Sequence, residues 1–331
     1  TIFLCSPIAL LSSRWHAPLK LADIYNCPGV PPGHFDHMAV HGHRLFVTAE
    51  AADEVLVFDA RNGKLLHTIV DIDVPHAPVY RVSRNQLYIS YGGSGGATGG
   101  LKIFDGNTYK PIGDLRLFPH ADALALDAEN HRLYINDGGG EGTLPYGRIR
   151  VISTTTLHAI GTFRVPGARL KRMVLNSAGA ELYIDDVVDD EVDVVDTHSG
   201  IIRAKWPVRL GKLNIPIALD EAHERLFVGC RSGVIVVFDA QSGKELKALP
   251  IAKGIDDLAF DPESGRLYAS CGQGEIDVYR EQDSDHYKLL GRIPSAPGAK
   301  TGIVAPELRK YFLAVPAESG YPARVFSYDI Q

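Results

Sequence analysis

Residues 225–239 read RLFVGCRSGVIVVFD, and this pattern decides the fold of the 331-residue chain. A basic residue and an apolar run lead into a short turn, and a second apolar run then ends in aspartate. Its first half recurs as RLFVTA at 44, QLYISY at 86, RLYIND at 132, ELYIDD at 181, RLYASC at 266 and KYFLAV at 310. Neighbouring copies are 41 to 49 residues apart. That spacing is typical of propeller blades with four strands each.

Two more elements repeat in step with this motif. The second half recurs as EVLVFD at 54, GLKIFD at 100, RIRVIS at 148, EVDVVD at 191, EIDVYR at 275 and RVFSYD at 324. Small apolar residues precede each first half, as in IALDEAH at 217, and a polar turn with a further strand follows the second half, as in ARNGKLLHTI at 60. Each repeat therefore predicts four strands, which we label A (innermost), B, C and D (outermost).

The first and last repeats complement each other. No strand D follows RVFSYDI (324–330), whereas LKLADIYN (19–26) precedes the first strand A. Pairing these two segments closes the ring and removes two free sheet edges. The sequence thus predicts an all-β, seven-bladed β-propeller over residues 19–331, with residues 1–18 as a separate apolar tail.

On these repeats, the chain resembles the bacterial YVTN-repeat, surface-layer-type seven-bladed propellers. The resemblance rests on RLYI followed by Asn or Asp, and on V-x-V-x-D, and it covers about residues 19–331. It implies the fold and favours a scaffold-like role. It specifies no activity, because propellers host many unrelated functions.

The net charge and the hydropathy of the chain indicate which classes of partner and which cellular location to expect. The net charge is −6 and no Lys/Arg run reaches five residues, which disfavours a nucleic-acid partner. No apolar stretch approaches the ~18 residues of a membrane-spanning helix. Residues 1–12, TIFLCSPIALLS, resemble the apolar region of a secretory signal and favour a secreted, periplasmic or cell-surface location.

The apolar tail must bury its side chains on some surface. One alternative is packing on its own propeller. The other is β-augmentation of a second copy, which would be head-to-tail and would build a homo-oligomer or filament. The candidate self-association residues are Ile2, Phe3, Leu4, Ile8, Leu10 and Leu11.

A site is expected where the segments leading into strand A meet at the mouth of the central channel. Aligning the blades on the Leu of strand B brings polar residues from all seven repeats to this mouth. They are Asp36, His37, His76, His120, Asp122, Lys171, Arg172, Asn214, Asp256, Asp257, Lys300 and Thr301.

The loops between strands B and C share this face of the ring. They add Glu50, Asp137 and Asp186, and the glycine-rich segments 91–100 and 137–147, which we expect to form a lid. The segment YGGSGGATGG superficially suggests a phosphate-binding loop. A strand rather than a helix follows it, which argues against nucleotide binding.

The sequence supports three alternative hypotheses for the channel mouth. His37, His76 and His120, with Asp122 and Asp256, are the candidate ligands of a divalent metal. Imidazoles favour a transition metal, whereas the carboxylates favour calcium or manganese. Asp256 and Asp257 near His76 or His120 would make a general acid–base pair. The third reading is a water-filled channel lined by polar groups.

Cysteines and aromatic residues follow the blade pattern. Cys230 and Cys271 occupy the same strand-B position in neighbouring blades, and are read either as a disulfide or as two buried thiols. Cys5 and Cys27 flank the closing strand and would tie down the tail if they were bridged. The aromatic residues of strand B are expected to pack between blades.

Two functions compete on these observations. The first is an exported, non-catalytic propeller that binds a partner or assembles with itself. The second is a metal-assisted hydrolase or lyase at the channel mouth. We favour the first because of the apolar tail, the scaffold-like family resemblance and the lack of a catalytic signature such as the G-x-S-x-G nucleophile motif.

Overall fold

The computed structural model describes residues 17–92, 99–117, 120–136, 146–166, 169–318 and 320–331. These residues form seven antiparallel sheets of four strands each. The innermost strands of neighbouring sheets contact one another around the whole ring, including the first and the seventh. The predicted seven-bladed propeller is therefore confirmed.

The strands follow the chain in blade order, with a few short 3-10 turns between them. Their bounds are β1 Leu19–Asn26, β2 Phe35–His41, β3 Arg44–Ala49, β4 Glu54–Asp59, β5 Leu65–Ile69, β6 Pro75–Arg81, β7 Gln86–Gly92, β8 Gly99–Asp105, β9 Pro111–Arg116, β10 Leu124–Asp127, β11 Arg132–Asn136, β12 Tyr146–Ser153, β13 His158–Pro166, β14 Leu170–Leu175, β15 Glu181–Asp186, β16 Glu191–Asp196, β17 Ile202–Pro207, β18 Asn214–Asp220, β19 Arg225–Cys230, β20 Val234–Asp239, β21 Glu245–Pro250, β22 Ile255–Asp261, β23 Arg266–Cys271, β24 Glu275–Asp283, β25 His286–Pro294, β26 Thr301–Ala305, β27 Lys310–Val315 and β28 Arg324–Ile330.

The first strand completes the last blade, as the sequence predicts. The seventh sheet has the order β1-β28-β27-β26, and β1 runs antiparallel to β28 from the Leu19–Ile330 pair to the Asn26–Arg324 pair. Just beyond the strand ends, the Gln331 N–H donates to the Pro18 carbonyl at 3.0 Å. The closure gives β1 a partner and covers the outer edge of β28.

The second strand of each blade is buried on both faces, which explains its continuous apolar run. In β3, Leu45 and Val47 pack toward the seventh blade, whereas Phe46 packs toward the second. Alternate side chains of a strand point to opposite faces, so this strand supplies two cores at once. Seven hydrophobic clusters form in this way, each shared by two neighbouring blades.

The aspartates at the ends of the third strands build the turns that follow. Asp105 Oδ1 accepts the N–H groups of Asn107 at 3.0 Å and Thr108 at 2.8 Å. Asp239 makes the same contacts with Gln241 and Ser242. A short acceptor side chain at this position satisfies the turn backbone, so the repeated aspartate has a local structural role.

The cysteines within the described ranges are buried free thiols. Cys27, Cys230 and Cys271 form no disulfide, which corrects the alternative of a Cys230–Cys271 bridge. The two thiols point instead at carbonyl oxygens of their own strands, those of Val228 and Ala269. Cys5 lies outside the described residues.

Three of the predicted segments extend beyond the described residues. Most of the 1–18 tail, with its six self-association candidates, lies outside the described residues, as do segments 93–98 and 137–145 of the glycine-rich loops. Within the described ranges, no helix has both the length and the apolar character needed to cross a membrane.

Candidate functional site

A polar pocket of about 170 Å³ lies at the channel mouth, where the inner strands begin. That volume holds about six water molecules or a small organic ion. All seven blades contribute to its wall. The lining residues are His34, Phe35, Asp36, His37, Glu50, His76, His120, Asp122, Lys171, Arg172, Ile215, Arg231, Asp256 and Lys300.

Irregularities at the start of the inner strands shape this pocket. The pairing register shifts between Phe35 and Met38 in β2, and between Leu170 and Met173 in β14. A bulge of this kind breaks the alternation of side chains and re-aims residues at the end of a strand. As a result, consecutive residues such as Asp36 and His37 both reach the pocket.

Polar residues at the fifth position of the second strand hold the pocket residues in place. Thr48 donates to the carbonyl of His76 at 3.1 Å, and Asn136 Nδ2 donates to the carbonyl of Lys171 at 2.7 Å. Ser90 binds the carbonyl of Asp122 in the same way. Each bond runs from one blade to the first residues of the next, so the ring itself sets the spacing of the site.

Carboxylates and imidazoles form the half of the pocket built by blades 1 to 3. His76 Nδ1 lies 2.8 Å from Asp36 Oδ2 and 3.3 Å from Glu50 Oε1. Its Nε2 lies 3.1 Å from the carbonyl oxygen of Gly92, which only an N–H can satisfy. The ring of His120 packs edge-on against His76, with centroids 5.1 Å apart.

His37 connects this half to the floor of the pocket. Its Nε2 lies 3.2 Å from Asp36 Oδ1 and its Nδ1 lies 3.0 Å from Asp257 Oδ1. Asp257 is nearly fully buried and also accepts the backbone N–H of Gly302 at 3.1 Å. The same carboxylate oxygen binds Arg172 Nη2 at 3.0 Å, so one buried aspartate holds both an imidazole and a guanidinium.

Four cations form the other half of the pocket. Lys171 binds Asp122 Oδ2 at 2.9 Å, and Lys300 binds Asp256 Oδ2 at 2.8 Å. Arg231 binds the second oxygen of Asp256. The three carboxylates under these cations are 4–12 % exposed, whereas the four cations are 23–39 % exposed. The solvent-facing surface of this half is therefore positive.

The pKa values of Asp36, His76 and Asp122 are shifted in the directions expected for closely paired opposite charges. Burial alone would raise the pKa of Asp36, but His37 and His76 outweigh it and hold that pKa well below its usual range. Burial likewise opposes the charge on His76, yet Asp36 and Glu50 raise its pKa well above the ordinary value. Burial acts against Asp122 too, and Lys171 lowers the pKa of that carboxyl to about 2.

Nine of the twelve residues predicted at the mouth line the pocket. The other three are buried beside it. Asn214 donates to Asp185 Oδ1 at 2.7 Å, Asp257 lies under His37, and Thr301 begins β26. Of the loop residues, Glu50 lines the pocket, whereas Asp186 accepts backbone N–H groups of Arg169 and Val188 elsewhere. Asp137 lies outside the described residues.

Of the five predicted metal ligands, the structure brings two, His76 and Asp122, into one candidate cluster. His76 and Asp122 lie together with Asp36, and one ligand atom from each lies within 4.8 Å of the other two. His37 and Asp256 are instead engaged by Asp257 and by Lys300. His120 turns its Nδ1 to the Gly92 carbonyl at 3.1 Å. Asp257 pairs with His37, whereas the acid–base hypothesis placed it near His76 or His120.

Four lining residues were missed in the sequence: His34, Phe35, Ile215 and Arg231. Arg231 directly follows the second strand of blade 5, as Glu50 follows that of blade 1. The alignment that selected Glu50 could therefore have found it. His34 precedes the first inner strand, and no motif marks it.

Comparison with known proteins supports the fold and a partial relationship. The chain is 33 % identical over 95 residues to "Uncharacterized protein YncE" of Salmonella typhi, and 32 % identical over 95 residues to the protein of that name from Salmonella typhimurium strain LT2. Each match covers 29 % of this chain and 26 % of the relative. No protein-family model matches the sequence.

The solved structures agree on architecture. A chain in the "Crystal Structure of Mitotic Checkpoint Complex" superposes with a TM-score of 0.76 at 15 % identity, over 100 % of this chain and 98 % of that one. At this low sequence identity, the similarity shows a shared fold and nothing about function. The chain is thus a seven-bladed β-propeller with a partial relationship to YncE, and its membership of the YVTN-repeat propellers stays a prediction.

Proposed function

We propose that this propeller is a binding protein whose channel-mouth pocket holds a small organic anion. The observation that carries the proposal is the cationic half of the pocket. There, Lys171, Arg172, Arg231 and Lys300 stand above three buried carboxylates. Four cations against three carboxylates leave a net positive surface for a carboxylate or phosphate group.

The geometry of the cations suits such a group. Arg172 and Arg231 each place one guanidinium nitrogen on a buried aspartate. A guanidinium carries five N–H donors in a planar fork, so the remaining donors suit a bidentate carboxylate or phosphate. Because the buried aspartates fix the cations in advance, little side-chain entropy remains to be lost on binding.

Titration calorimetry with malonate and inorganic phosphate tests this proposal. We expect saturable binding that weakens with added salt, since exposed charges are screened. Replacing Arg231 or Lys300 by Gln should weaken binding roughly tenfold or more, as the loss of ~1.4 kcal/mol would. Lys212→Gln is the matched control, because Lys212 pairs with Asp190 away from the pocket. Equal affinities in all variants, or no binding of either anion, would exclude the proposal.

Export and self-association remain part of the proposal on sequence grounds, through the apolar tail. Light scattering after size-exclusion chromatography of the full chain and of a chain lacking residues 1–16 tests the assembly. Pro18 is kept, since its carbonyl accepts the Gln331 N–H. We expect the truncated chain to be monomeric and the full chain to form larger species. A monomeric full chain removes self-association from the proposal.

The second candidate is the metal-assisted hydrolase or lyase. The convergence of Asp36, His76 and Asp122 favours it, because three ligand atoms meet beside the cationic half of one pocket. Such an enzyme needs a bound cation before any chemistry, so cation binding is the step to establish first.

A further inference from the structure

We propose that Asp36, His76 and Asp122 form a divalent transition-metal site, with Glu50 as a fourth, outer ligand. This deepens the proposed function, because the ion would stand in the same pocket, facing the cationic half. It does not depend on the anion, and the experiment below uses metal salts alone.

The first support is distance. The three ligand atoms lie within 4.8 Å of one another. Ligands at 2.0–2.2 Å from an ion lie at most about 4.4 Å apart, so shifts of a few tenths of an ångström would complete the coordination. Glu50 Oε1 is 3.3 Å from His76 Nδ1, on the side where the ion would stand.

The second support is the orientation of His76. Its Nε2 faces the Gly92 carbonyl at 3.1 Å, and a carbonyl only accepts. The Nε2 atom therefore carries a hydrogen. Nδ1 donates a second hydrogen to Asp36 Oδ2 at 2.8 Å, and an ion bound between these two atoms would displace that proton. Histidine ligands of metals commonly donate their other ring N–H to a backbone carbonyl in this manner, which fixes both tautomer and ring orientation.

The third support is how the two aspartates are held. His37 Nε2 contacts Oδ1 of Asp36, while Oδ2 faces His76. Lys171 binds Oδ2 of Asp122. Each carboxylate thus has one oxygen held by a residue outside the proposed metal site, as in sites where outer residues orient the ligands.

The fourth support is charge. Asp36 and Glu50 pair with His76, and the nearby Asp122 binds Lys171. A divalent ion that displaces the proton from His76 Nδ1 would supply the positive charge that these carboxylates then lack. A set of one imidazole with two or three carboxylates mixes the preferences of Zn²⁺ and Mn²⁺.

Titration of Mn²⁺ into chelator-stripped full-length protein, followed by the electron paramagnetic resonance signal of the free ion, tests the site. Zn²⁺ is titrated in parallel by calorimetry. We expect one ion per chain with a dissociation constant at or below the ~10⁻⁴ M range of weak protein cation sites. Asp36→Asn and Asp122→Asn should remove this binding, and Glu50→Gln should weaken it roughly 10–100-fold.

Two control variants separate this site from the rest of the molecule. Asp189→Asn disrupts the carboxylate cluster of Asp186, Asp189 and Glu191, none of which lines the pocket. His223→Gln disrupts another cluster, that of Asp220, His223 and Glu281. Both should bind Mn²⁺ with unchanged affinity.

The proposal is overturned if neither ion binds saturably, or if Asp36→Asn and Asp122→Asn bind as well as the original chain. Circular dichroism checks that these variants fold. Should both aspartate variants unfold, Glu50→Gln decides, since its side chain is 24 % exposed and its replacement leaves no buried gap. Unchanged affinity in that variant counts against the site.

Discussion

The hydroxyl of Thr48 donates to the carbonyl oxygen of His76 across 3.1 Å, joining the second strand of blade 1 to the first residues of blade 2. The same hydroxyl lies 2.8 Å from the carbonyl of His37. Thr48 is fully buried and does not line the pocket, but it fixes the backbone of His37 and His76, which do line it.

We predict that Thr48→Val destabilises the protein and loosens the pocket. Valine has nearly the same shape, so the loss is that of buried hydrogen bonds, about 1–3 kcal/mol of unfolding free energy. Urea unfolding measures it. Thr48→Ser, which keeps the hydroxyl, is the control. Equal stability of Thr48→Val and the original chain would show that the bond has no positioning role.

Asn136 makes a comparable link from blade 3 to blade 4. Its Oδ1 accepts the Ala123 N–H at 2.8 Å, while its Nδ2 donates to the Lys171 carbonyl. Asn136→Asp keeps the acceptor but turns a second acceptor toward that carbonyl. We expect a loss of ~1–3 kcal/mol at neutral pH. The loss should shrink in acid, where a protonated carboxyl can donate; a pH-independent loss would argue against this account.

Stability should fall as the pH rises past neutrality. The folded pKa of His76 is raised above its unfolded value of ~6.5, through Asp36 and Glu50 and against the effect of burial. Its contribution is therefore complete below ~6.5 and is lost as the pH rises through the folded pKa. Asp122 and His120 also face this ring, and the nearby His37 shifts in the same direction.

Urea unfolding from pH 6 to pH 9, with a chelator present, measures this dependence. His76→Gln should flatten the profile without removing it, because His37 still titrates. His286→Gln is the control, since His286 is an exposed residue of the outer strand β25. Parallel profiles for the His76→Gln variant and the original chain would contradict the assignment.

Tyr25 lies in the strand that closes the ring, and we predict that its replacement by alanine strongly destabilises the protein. Its ring is buried between Phe58 and Phe312, with centroids 5.9 and 6.0 Å away, and its hydroxyl donates to the Ala60 carbonyl at 2.9 Å. Tyr25→Ala should lower the unfolding free energy by about 3–5 kcal/mol. Tyr25→Phe should lower it by only about 1 kcal/mol, the usual worth of one hydrogen bond. Similar losses in both variants would mean that packing at this closure matters little.

The sequence predicts the ring well because both faces of each second strand are buried. Runs such as Leu45–Phe46–Val47 are then apolar without interruption, and the number of such runs along the chain equals the number of blades. The closing pair was also predictable, since residues 19–26 and 324–330 each lacked a partner.

The fine structure of the pocket was harder to predict. Asp256 and Asp257 are adjacent, yet Asp256 faces the pocket and Asp257 lies beneath it. The register of β22 shifts between Ile255 and Asp257, and a strand pattern of period two gives no sign of such a bulge. Nor could the sequence show that His37 would bind Asp257 rather than join the other histidines, because that pairing depends on side-chain direction.

The central claim is that charged residues from different blades form one anion-binding pocket. An anomalous difference map of a crystal soaked in selenate tests it most directly. The account predicts a selenium peak at the channel mouth, within hydrogen-bond reach of Arg172, Arg231 or Lys300. Peaks confined to lysines and arginines on the outer strands, with none at the mouth, would contradict it.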